Sequence, residues 1–185
     1  MNLVLASQSP RRRELLNNAG FPHTVRPAHI DETRLPGESA IAYVRRLAES
    51  KARAVSAAPG EVILAADTTV AVDQQILEKP TGPEDARRML SLLSGRAHQV
   101  FTAVCLRSGA TVAVAHEETV VHFRPLAAAE IDAYVASGEP MDKAGAYGIQ
   151  GLASKFVHRV EGCFFNVVGL PVALVCTMLS DADAG

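Results

Sequence analysis

The apolar residues of this chain alternate between short continuous runs and stripes at helical spacing, which predicts strands and helices in turn. Residues 3–6 are typical of a buried strand, and Ser9 and Pro10 suit the N-cap and first position of a helix that Gly20 ends. The longest run, residues 62–72, is rich in β-branched side chains, as in a strand covered on both faces. It is long enough to link two lobes, and the chain length of 185 residues predicts one domain over 1–185.

A second helix is predicted from Ser39 to about residue 57, because apolar residues recur there at helical spacing. These positions are Ile41, Val44, Leu47, Ala48, Ala52 and Val55. The other predicted elements are a strand at 23–25, a hairpin turn at 73–75, a helix at 83–93, strands at 98–106 and 111–123, a helix at 126–135, a glycine-rich loop at 139–154, a second hairpin formed by 155–160 and 164–168, and a last helix opened by Leu170-Pro171. Residues 181–185 are predicted to form a frayed tail.

Charge and cysteine content exclude several classes of protein. The net charge is -2 with both signs dispersed, so the chain has no basic face for duplex nucleic acid, whereas a small anionic ligand stays compatible. The three cysteines are odd in number and unrelated in spacing, which argues against a disulfide framework or a zinc ribbon. No apolar run is long enough to span a bilayer, and Met1-Asn2 lacks the charged start of a signal peptide. We therefore expect a cytoplasmic protein with neither a nucleic-acid nor a membrane partner.

The first helix begins with three arginines, which is an unfavourable place for positive charge. Cations in a first helical turn oppose the helix macrodipole unless an anion lies between them and the free amide groups. Phosphate is the anion that helix N-termini and guanidinium groups commonly bind. We therefore predict a phosphate site formed by Ser7, Ser9, Arg11 and Arg12. The alternative is a solvated basic turn without a ligand.

Asp67 and Lys51 are charged residues within otherwise apolar patterns. Asp67 is the only charge in the run 62–72, and an ionised carboxylate inside a sheet is costly without a compensating partner. It is therefore a candidate metal ligand or general base, the alternative being a structural aspartate bonded to a loop amide. Lys51 lies within the apolar stripe of the second helix, where its ammonium needs a phosphate or carboxylate partner. The alternative for Lys51 is a lysine that snorkels at the edge of the stripe.

Three further residues are weaker candidates. Glu32 supplies a second carboxylate that can share a divalent cation with Asp67. Lys79 precedes Pro80, where a rigid backbone lets its charge point across a cleft, although a surface lysine is the simpler interpretation. Gln150 lies in a loop of small residues, and its amide matches the N3–H and O4 edge of uracil or thymine. A structural loop glutamine is the alternative there.

Six short segments, taken in order, resemble one known family. They are Leu5 through Arg12, Ala65-Ala66-Asp67-Thr68, Leu77-Glu78-Lys79-Pro80, Leu93 through His98, Asp142 through Gly151, and Val168-Gly169-Leu170-Pro171. On these segments the chain resembles the Maf family of nucleoside triphosphate pyrophosphatases over nearly its whole length.

The resemblance implies a fold, a reaction and roles for particular residues. It implies an α/β, two-lobed mixed-sheet fold similar to inosine triphosphate pyrophosphatase, with a central cleft. It implies metal-dependent hydrolysis of a nucleoside triphosphate to the monophosphate and pyrophosphate. The proton acceptor would be Asp67, and the specificity positions would be Arg11, Thr68 and Gln150. A homodimer is also compatible with the resemblance.

The segment Gly148-Ile149-Gln150-Gly151 resembles the branch of the family that acts on dTTP and UTP. The alternatives are the branch that acts on 7-methyl-GTP, and a non-enzymatic nucleotide-binding regulator of septum formation. Two departures from the family pattern are Gln74-Gln75, where glycine is common, and Phe164-Phe165, where tyrosines are common.

These residues combine into one hypothesis for the mechanism. Asp67 and Glu32 hold Mg²⁺ or Mn²⁺ on the phosphates, and water attacks the α-phosphorus. Negative charge is stabilised by Arg11, Arg12, Lys51 and Lys79. Thr68 is short enough to leave room for a base that Gln150 recognises. Arg13 has no assigned role and is predicted to be solvated.

Overall fold

The computed structural model describes residues 2–184, in which strands and helices alternate along much of the chain. The strands are β1 (Asn2–Leu5), β2 (His23–Val25), β3 (Glu61–Val72), β4 (Gln75–Leu77), β5 (Ala97–Ser108), β6 (Thr111–Phe123) and β7 (Val157–Glu161). The α-helices are α1 (Pro10–Asn18), α2 (Ala40–Ala54), α3 (Pro83–Leu93), α4 (Ala128–Ala136), α5 (Phe164–Val168) and α6 (Val172–Ala184). Short 3₁₀ helices occupy Glu139–Asp142, Ala144–Ala146 and Leu152–Phe156. Within residues 2–184, no helix is long and apolar enough to cross a membrane.

All of these strands belong to one mixed sheet with the order β2-β1-β3-β5-β6-β7, and β4 adds to β3. Strand β1 runs parallel to both β2 and β3, and the other pairings are antiparallel. Strand β5 covers one edge of β3 from Val62 to Ala71. The other edge is shared by β1, which ends at Leu64 of β3, and β4, which begins at Val70. Within the described chain, residues 65–69 of β3 therefore have no strand partner on that side, and the sheet opens there into a cleft.

The two faces of the sheet carry separate apolar cores, because successive side chains of a strand point to opposite faces. Val4, Ile63 and Ala65 pack on the face covered by α2. Leu5 and Leu64 pack on the opposite face, in the cluster that also holds the buried side chains of α1, α3, α4 and α6. A strand buried on both faces needs a continuous apolar run, so the interpretation of residues 62–72 is confirmed. The predicted mixed α/β fold with a central cleft is likewise confirmed.

Two predicted elements are wrong. Residues 164–168 are not the second strand of a hairpin but the helix α5. Asn166 explains this, because its buried amide nitrogen donates to Val100 O and Thr119 Oγ1, both at 2.9 Å, which fixes the segment on β5 and β6. The predicted frayed tail is also wrong up to Ala184, since α6 extends to that residue; Gly185 lies outside the described residues.

The hairpin between β3 and β4 keeps a tight turn without glycine. Asp73 and Gln74 both have positive φ, 49° and 66°, which is the pair of left-handed residues that a two-residue hairpin turn requires. Asp73 is well suited to this conformation and Gln74 is less so. The glutamine in place of the common glycine therefore leaves the turn intact.

His98 is a buried structural residue in an aromatic cluster. It is 1% exposed, its Nε2 lies 2.8 Å from Tyr147 Oη, and its ring meets Phe123 edge-on at 5.0 Å. Burial lowers the pKa of His98 from 6.5 to about 3, so the folded protein holds this ring neutral.

Acidification is therefore expected to destabilise the protein through His98. The unfolded chain takes up a proton on this ring near pH 6.5 and the native chain does not, so the free energy of unfolding falls as the pH drops below that value. Between pH 6.5 and pH 5 the loss due to His98 should be about 2 kcal/mol. Urea unfolding of the wild type and of His98→Gln at pH 7 and pH 5 measures it. Equal losses in both proteins would contradict the assignment.

Candidate active site

The open edge of β3 forms the floor of a cleft of about 1020 Å³, which is at the upper end of the usual range for small-molecule sites. Its walls come from the turn before α1, the segment before α2, the residues after β4, the loop before β7 and the end of α5. The cleft contains every predicted site residue: Ser7, Ser9, Arg11, Arg12, Glu32, Lys51, Asp67, Thr68, Lys79 and Gln150. Arg13 is exposed and does not line it.

At the floor of the cleft, Lys51 joins two carboxylates. Its Nζ donates to Asp67 Oδ1 at 2.6 Å and lies 2.8 Å from Glu32 Oε1. The Lys51 side chain is only 12% exposed, because α2 packs its apolar stripe against the sheet at this point. Lys51 therefore finds a carboxylate partner, one of the two kinds its sequence position requires, and does not snorkel into solvent.

The two carboxylates differ in their surroundings. Asp67 is 7% exposed, and burial raises its pKa against the opposing charges of Lys51 and Arg12. Glu32 is about half exposed. Its partial burial acts to raise its pKa, but the hydrogen bond from Lys51 and nearby positive charges outweigh this and hold the pKa below the ordinary value. The site thus combines a buried carboxylate at the floor with a more solvated one at the wall.

Arg12 is anchored by three protein acceptors. Its Nε donates to Gly169 O at 2.8 Å, Nη2 to Thr68 Oγ1 at 3.0 Å and Nη1 to Ser7 Oγ at 3.3 Å. Thr68 Oγ1 also lies 2.9 Å from Thr102 Oγ1. The guanidinium thereby ties α1 to the middle of β3 and to the end of α5. Thr68 lines the cleft as part of this network.

The hydroxyls of Ser7 and Ser9 shape the turn before α1. Ser9 caps the helix, its Oγ accepting from Arg12 N at 3.4 Å, and Ser7 Oγ accepts from Ser9 N at 3.1 Å. Arg11 points into the cleft, where its Nη1 lies 3.4 Å from Asp142 Oδ2. Of the two arginines, Arg11 is the one with fewer protein contacts, so more of its guanidinium is available to a ligand.

Lys79 and Gln150 are both exposed, and both line the cleft. The loop that carries Gln150 packs closely on its neighbours, which explains its small residues. At Gly145, whose φ is +69°, a Cβ atom would lie 2.8 Å from Val70 Cγ2. At Gly151 a Cβ atom would collide with the Glu139 carboxylate, which also accepts from Leu152 N at 3.0 Å. Close packing fixes the backbone from which Gln150 projects.

Sequence reasoning missed two further polar residues that line the cleft, Tyr43 and Glu78. The Tyr43 hydroxyl donates to Glu78 Oε1 at 2.6 Å. Tyr43 precedes Leu47 and Lys51 at intervals of four residues, so its place on the same face of α2 was readable from spacing. Glu78 adjoins Lys79 but looks like an ordinary surface residue.

The charges of the cleft are balanced. Its lining contains five basic side chains, Arg11, Arg12, Lys51, Lys79 and Lys143, and five acidic ones, Glu32, Asp67, Glu78, Glu139 and Asp142. A triphosphate carries several negative charges, and this lining offers no net positive charge to offset them. An anionic ligand of that kind therefore fits best when a cation accompanies it.

Comparison with known proteins gives consistent matches along the chain. A family model described as "Maf-like protein" matches residues 2–182. A dTTP/UTP pyrophosphatase of Anaeromyxobacter sp. (strain Fw109-5) is 56% identical over 97% of this chain and 89% of its own length. Proteins of the same name from Sphingopyxis alaskensis and Symbiobacterium thermophilum are 54% and 51% identical, each over 96% of this chain and over 95% and 92% of their own lengths.

Among solved structures, a nucleoside-triphosphatase, or dITP/XTP pyrophosphatase, from Mycobacterium abscessus matches 68% of this chain and 76% of its own, with a TM-score of 0.44 and 16% identity. A Ham1 protein of Staphylococcus aureus matches 66% of this chain and 72% of its own, with a TM-score of 0.42 and 12% identity.

Proposed function

This chain belongs to the Maf family, and we propose that it hydrolyses dTTP and UTP to the nucleoside monophosphate and pyrophosphate. The observation that carries the proposal is identity of 51% or more, over nearly the whole chain, to proteins named dTTP/UTP pyrophosphatase. The cleft adds the chemistry that such a reaction needs, since it places a buried carboxylate among basic side chains. The earlier resemblance to this family is confirmed.

We further propose that the reaction uses Mg²⁺ or Mn²⁺ and that Asp67 and Glu32 hold it. Both carboxylates already face one positive centre, the Lys51 ammonium, so their oxygens can converge on a cation. Within residues 2–184 there is no cluster of three or more His, Cys, Asp or Glu side chains arranged for a metal. Two carboxylates are nevertheless enough for Mg²⁺, which commonly completes its shell with water and substrate phosphates. When bound, the ion would offset phosphate charge.

The residues of the chain supply positioning and charge in this proposal. Water attacks the α-phosphorus, the bond to the bridging oxygen breaks, and pyrophosphate leaves with the electron pair. Asp67 either holds the metal alone, with the proton of that water passing to solvent, or holds the metal and also accepts that proton. Arg11 approaches the phosphates from α1 and Lys79 approaches them from the segment after β4. Lys51 turns from its carboxylates towards the phosphates. Arg12 holds the turn and Thr68 in place, so its predicted contact with phosphate is secondary in this proposal.

Product analysis over a panel of triphosphates tests the proposed function. dTTP, UTP, CTP, dATP, GTP and 7-methyl-GTP are incubated with the protein, with and without Mg²⁺ or Mn²⁺. We expect monophosphate and pyrophosphate in equal amounts from dTTP and UTP. Preferential turnover of 7-methyl-GTP would favour the other branch of the family. Nucleotide binding without any turnover would favour the non-enzymatic regulator.

We expect Gln150 to select the base. In one fixed orientation its amide donates to O4 and accepts from N3–H of uracil or thymine, and cytosine, which presents the opposite pattern, does not match that orientation. Gln150→Ala should therefore reduce discrimination between UTP and CTP by about tenfold, because a lost pair of hydrogen bonds to a neutral group is worth about 1–2 kcal/mol.

The ratio of kcat/KM for UTP and CTP in the two proteins measures this effect. Gln74→Ala, at the exposed turn after β3, is the matched control and should leave the ratio unchanged. Unchanged discrimination in Gln150→Ala would show that the base is selected elsewhere.

A further inference from the structure

Tyr43 and Glu78 form a pair that the reaction described above does not use. Tyr43 lies on the buried face of α2 and is 5% exposed, but it also lines the cleft. There its single hydroxyl proton faces two acceptors, Glu78 Oε1 at 2.6 Å and the main-chain oxygen of Glu32 at 3.0 Å. One phenol thus contacts two segments that are distant in sequence.

Glu78 also contacts another segment that lines the cleft. Its main-chain oxygen accepts from Gly145 N at 3.2 Å, in the loop that carries Gln150. Gly145 cannot shift towards the sheet, because Val70 already fills the space that a Cβ atom would need. The residue after Glu78 is Lys79, so the place of Glu78 also sets where the Lys79 backbone lies.

We propose that Tyr43 and Glu78 are a positioning pair whose hydrogen bond sets the separation between Glu32 and Lys79. This inference rests on the proposed function. Glu32 belongs to the segment before α2, and Lys79 to the segment after β4. Tyr43 is the contact through which a single rigid side chain meets both segments. Neither Tyr43 nor Glu78 touches the reacting atoms.

The direction of the hydrogen bond follows from its surroundings. Burial, together with the hydrogen bond and charge of Glu78, raises the pKa of Tyr43, so the phenol keeps its proton and remains the donor. Glu78 is exposed, which lets its carboxylate stay hydrated while it accepts this bond. An amide oxygen at the same position can accept equally well. A positioning role therefore survives Glu78→Gln, whereas a role of the Glu78 charge on substrate or metal does not.

A double-mutant cycle on the full chain tests the pair. Tyr43→Phe and Glu78→Ala should each lower kcat for dTTP by about 10- to 100-fold, the usual cost of losing a side chain that orients a site residue. KM should change by less than about threefold, and the double variant should be no worse than either single variant. Glu78→Gln should retain most of the wild-type kcat. Asp132→Asn, on the surface between α3 and α4 and outside the lining of the cleft, is the control and should keep kcat within about twofold.

Two kinetic results would overturn the proposal. Losses that multiply in the double variant would show that the two residues act independently. A loss in Glu78→Gln as large as that in Glu78→Ala would show that Glu78 acts through its charge. Thermal unfolding of each variant identifies any loss of activity that comes from loss of fold.

Hydrogen exchange supplies a readout that does not depend on activity. In Tyr43→Phe, amide exchange should increase in residues 28–35 around Glu32, while α3 and β5 remain as protected as in the wild type. Unchanged exchange in residues 28–35 would overturn the proposal even if the kinetics agreed. If the wild type proved inactive on every triphosphate, the proposed function would fail, and this measurement would still decide whether Tyr43 holds the Glu32 segment.

Discussion

Asp67→Asn is expected to lower the turnover of dTTP by about 10²- to 10⁴-fold, the usual contribution of a general base. Asparagine has nearly the shape of aspartate but cannot accept the proton of the attacking water, and it binds a divalent cation less strongly. The effect therefore falls on kcat whichever of the two roles Asp67 performs. Binding of a non-hydrolysable α,β-imido dTTP should remain, because the basic residues of the cleft are unchanged. Pyrophosphate release and calorimetry measure the two quantities.

The same substitution should have only a small effect on stability. Lys51 loses one carboxylate partner but keeps Glu32 at 2.8 Å, so no charge is left buried alone. We expect the free energy of unfolding to change by less than about 2 kcal/mol. Asp132→Asn is the matched control, since Asp132 forms an exposed ion pair with Arg87 on the surface between α3 and α4. Wild-type turnover in Asp67→Asn would rule out the mechanism.

The sequence predicted most of the fold because most of the elements carry local signals. Helix α3 was predicted at its observed bounds, Pro83–Leu93, from Pro83 and from the apolar spacing that follows. Strand β3 was predicted because a run buried on both faces has few polar residues. Helix α5 was missed because four of its five residues are apolar and β-prone, and because Asn166, the fifth, bonds to Val100 and Thr119, which are distant in sequence. A local sequence pattern does not indicate hydrogen bonds between residues that are distant in sequence.

The candidate site was predictable where a charged residue broke an apolar pattern. Asp67 and Lys51 each did so, and the structure pairs them at 2.6 Å. Tyr43 and Glu78 broke no pattern, because a tyrosine on a buried helix face and a glutamate near a turn are both ordinary. Their relation appears only when β4 brings Glu78 back beside α2. The open edge of β3 could not be predicted from the sequence either, since it depends on where the pairing with β1 ends and the pairing with β4 begins.

Arg12 has a structural role in addition to the predicted contact with phosphate. The first helical turn was expected to need an anion, and the structure instead directs three nitrogens of Arg12 to Gly169, Thr68 and Ser7. These acceptors are neutral oxygens. Burial lowers the pKa of Arg12, and the nearby charge of Asp67 offsets only part of that effect. The fold therefore fixes the orientation of the guanidinium before any phosphate is present. These contacts depend on the planar shape of the guanidinium as much as on its charge.

Arg12→Lys separates these two properties and is expected to be strongly destabilising. Lysine keeps the positive charge, but one ammonium cannot reproduce a planar fork that reaches three acceptors in different directions. With at least one of these acceptors left without a donor, the free energy of unfolding should fall by about 2–4 kcal/mol. The corresponding fall in Tm is roughly 5–15 °C for a chain of this size. Turnover of dTTP should fall as well, because the α1 turn and Thr68 are no longer held together.

Arg13→Lys is the matched control, since Arg13 is the next residue, is exposed and does not line the cleft. It should unfold at the wild-type temperature and turn over dTTP at the wild-type rate. Urea and thermal unfolding of both variants, with and without α,β-imido dTTP, complete the comparison. If Arg12→Lys were as stable as the wild type but bound the nucleotide much more weakly, Arg12 would act as a phosphate ligand rather than as the anchor of the turn. Equal stability and equal binding would exclude both roles, because the fork geometry of Arg12 would then contribute to neither.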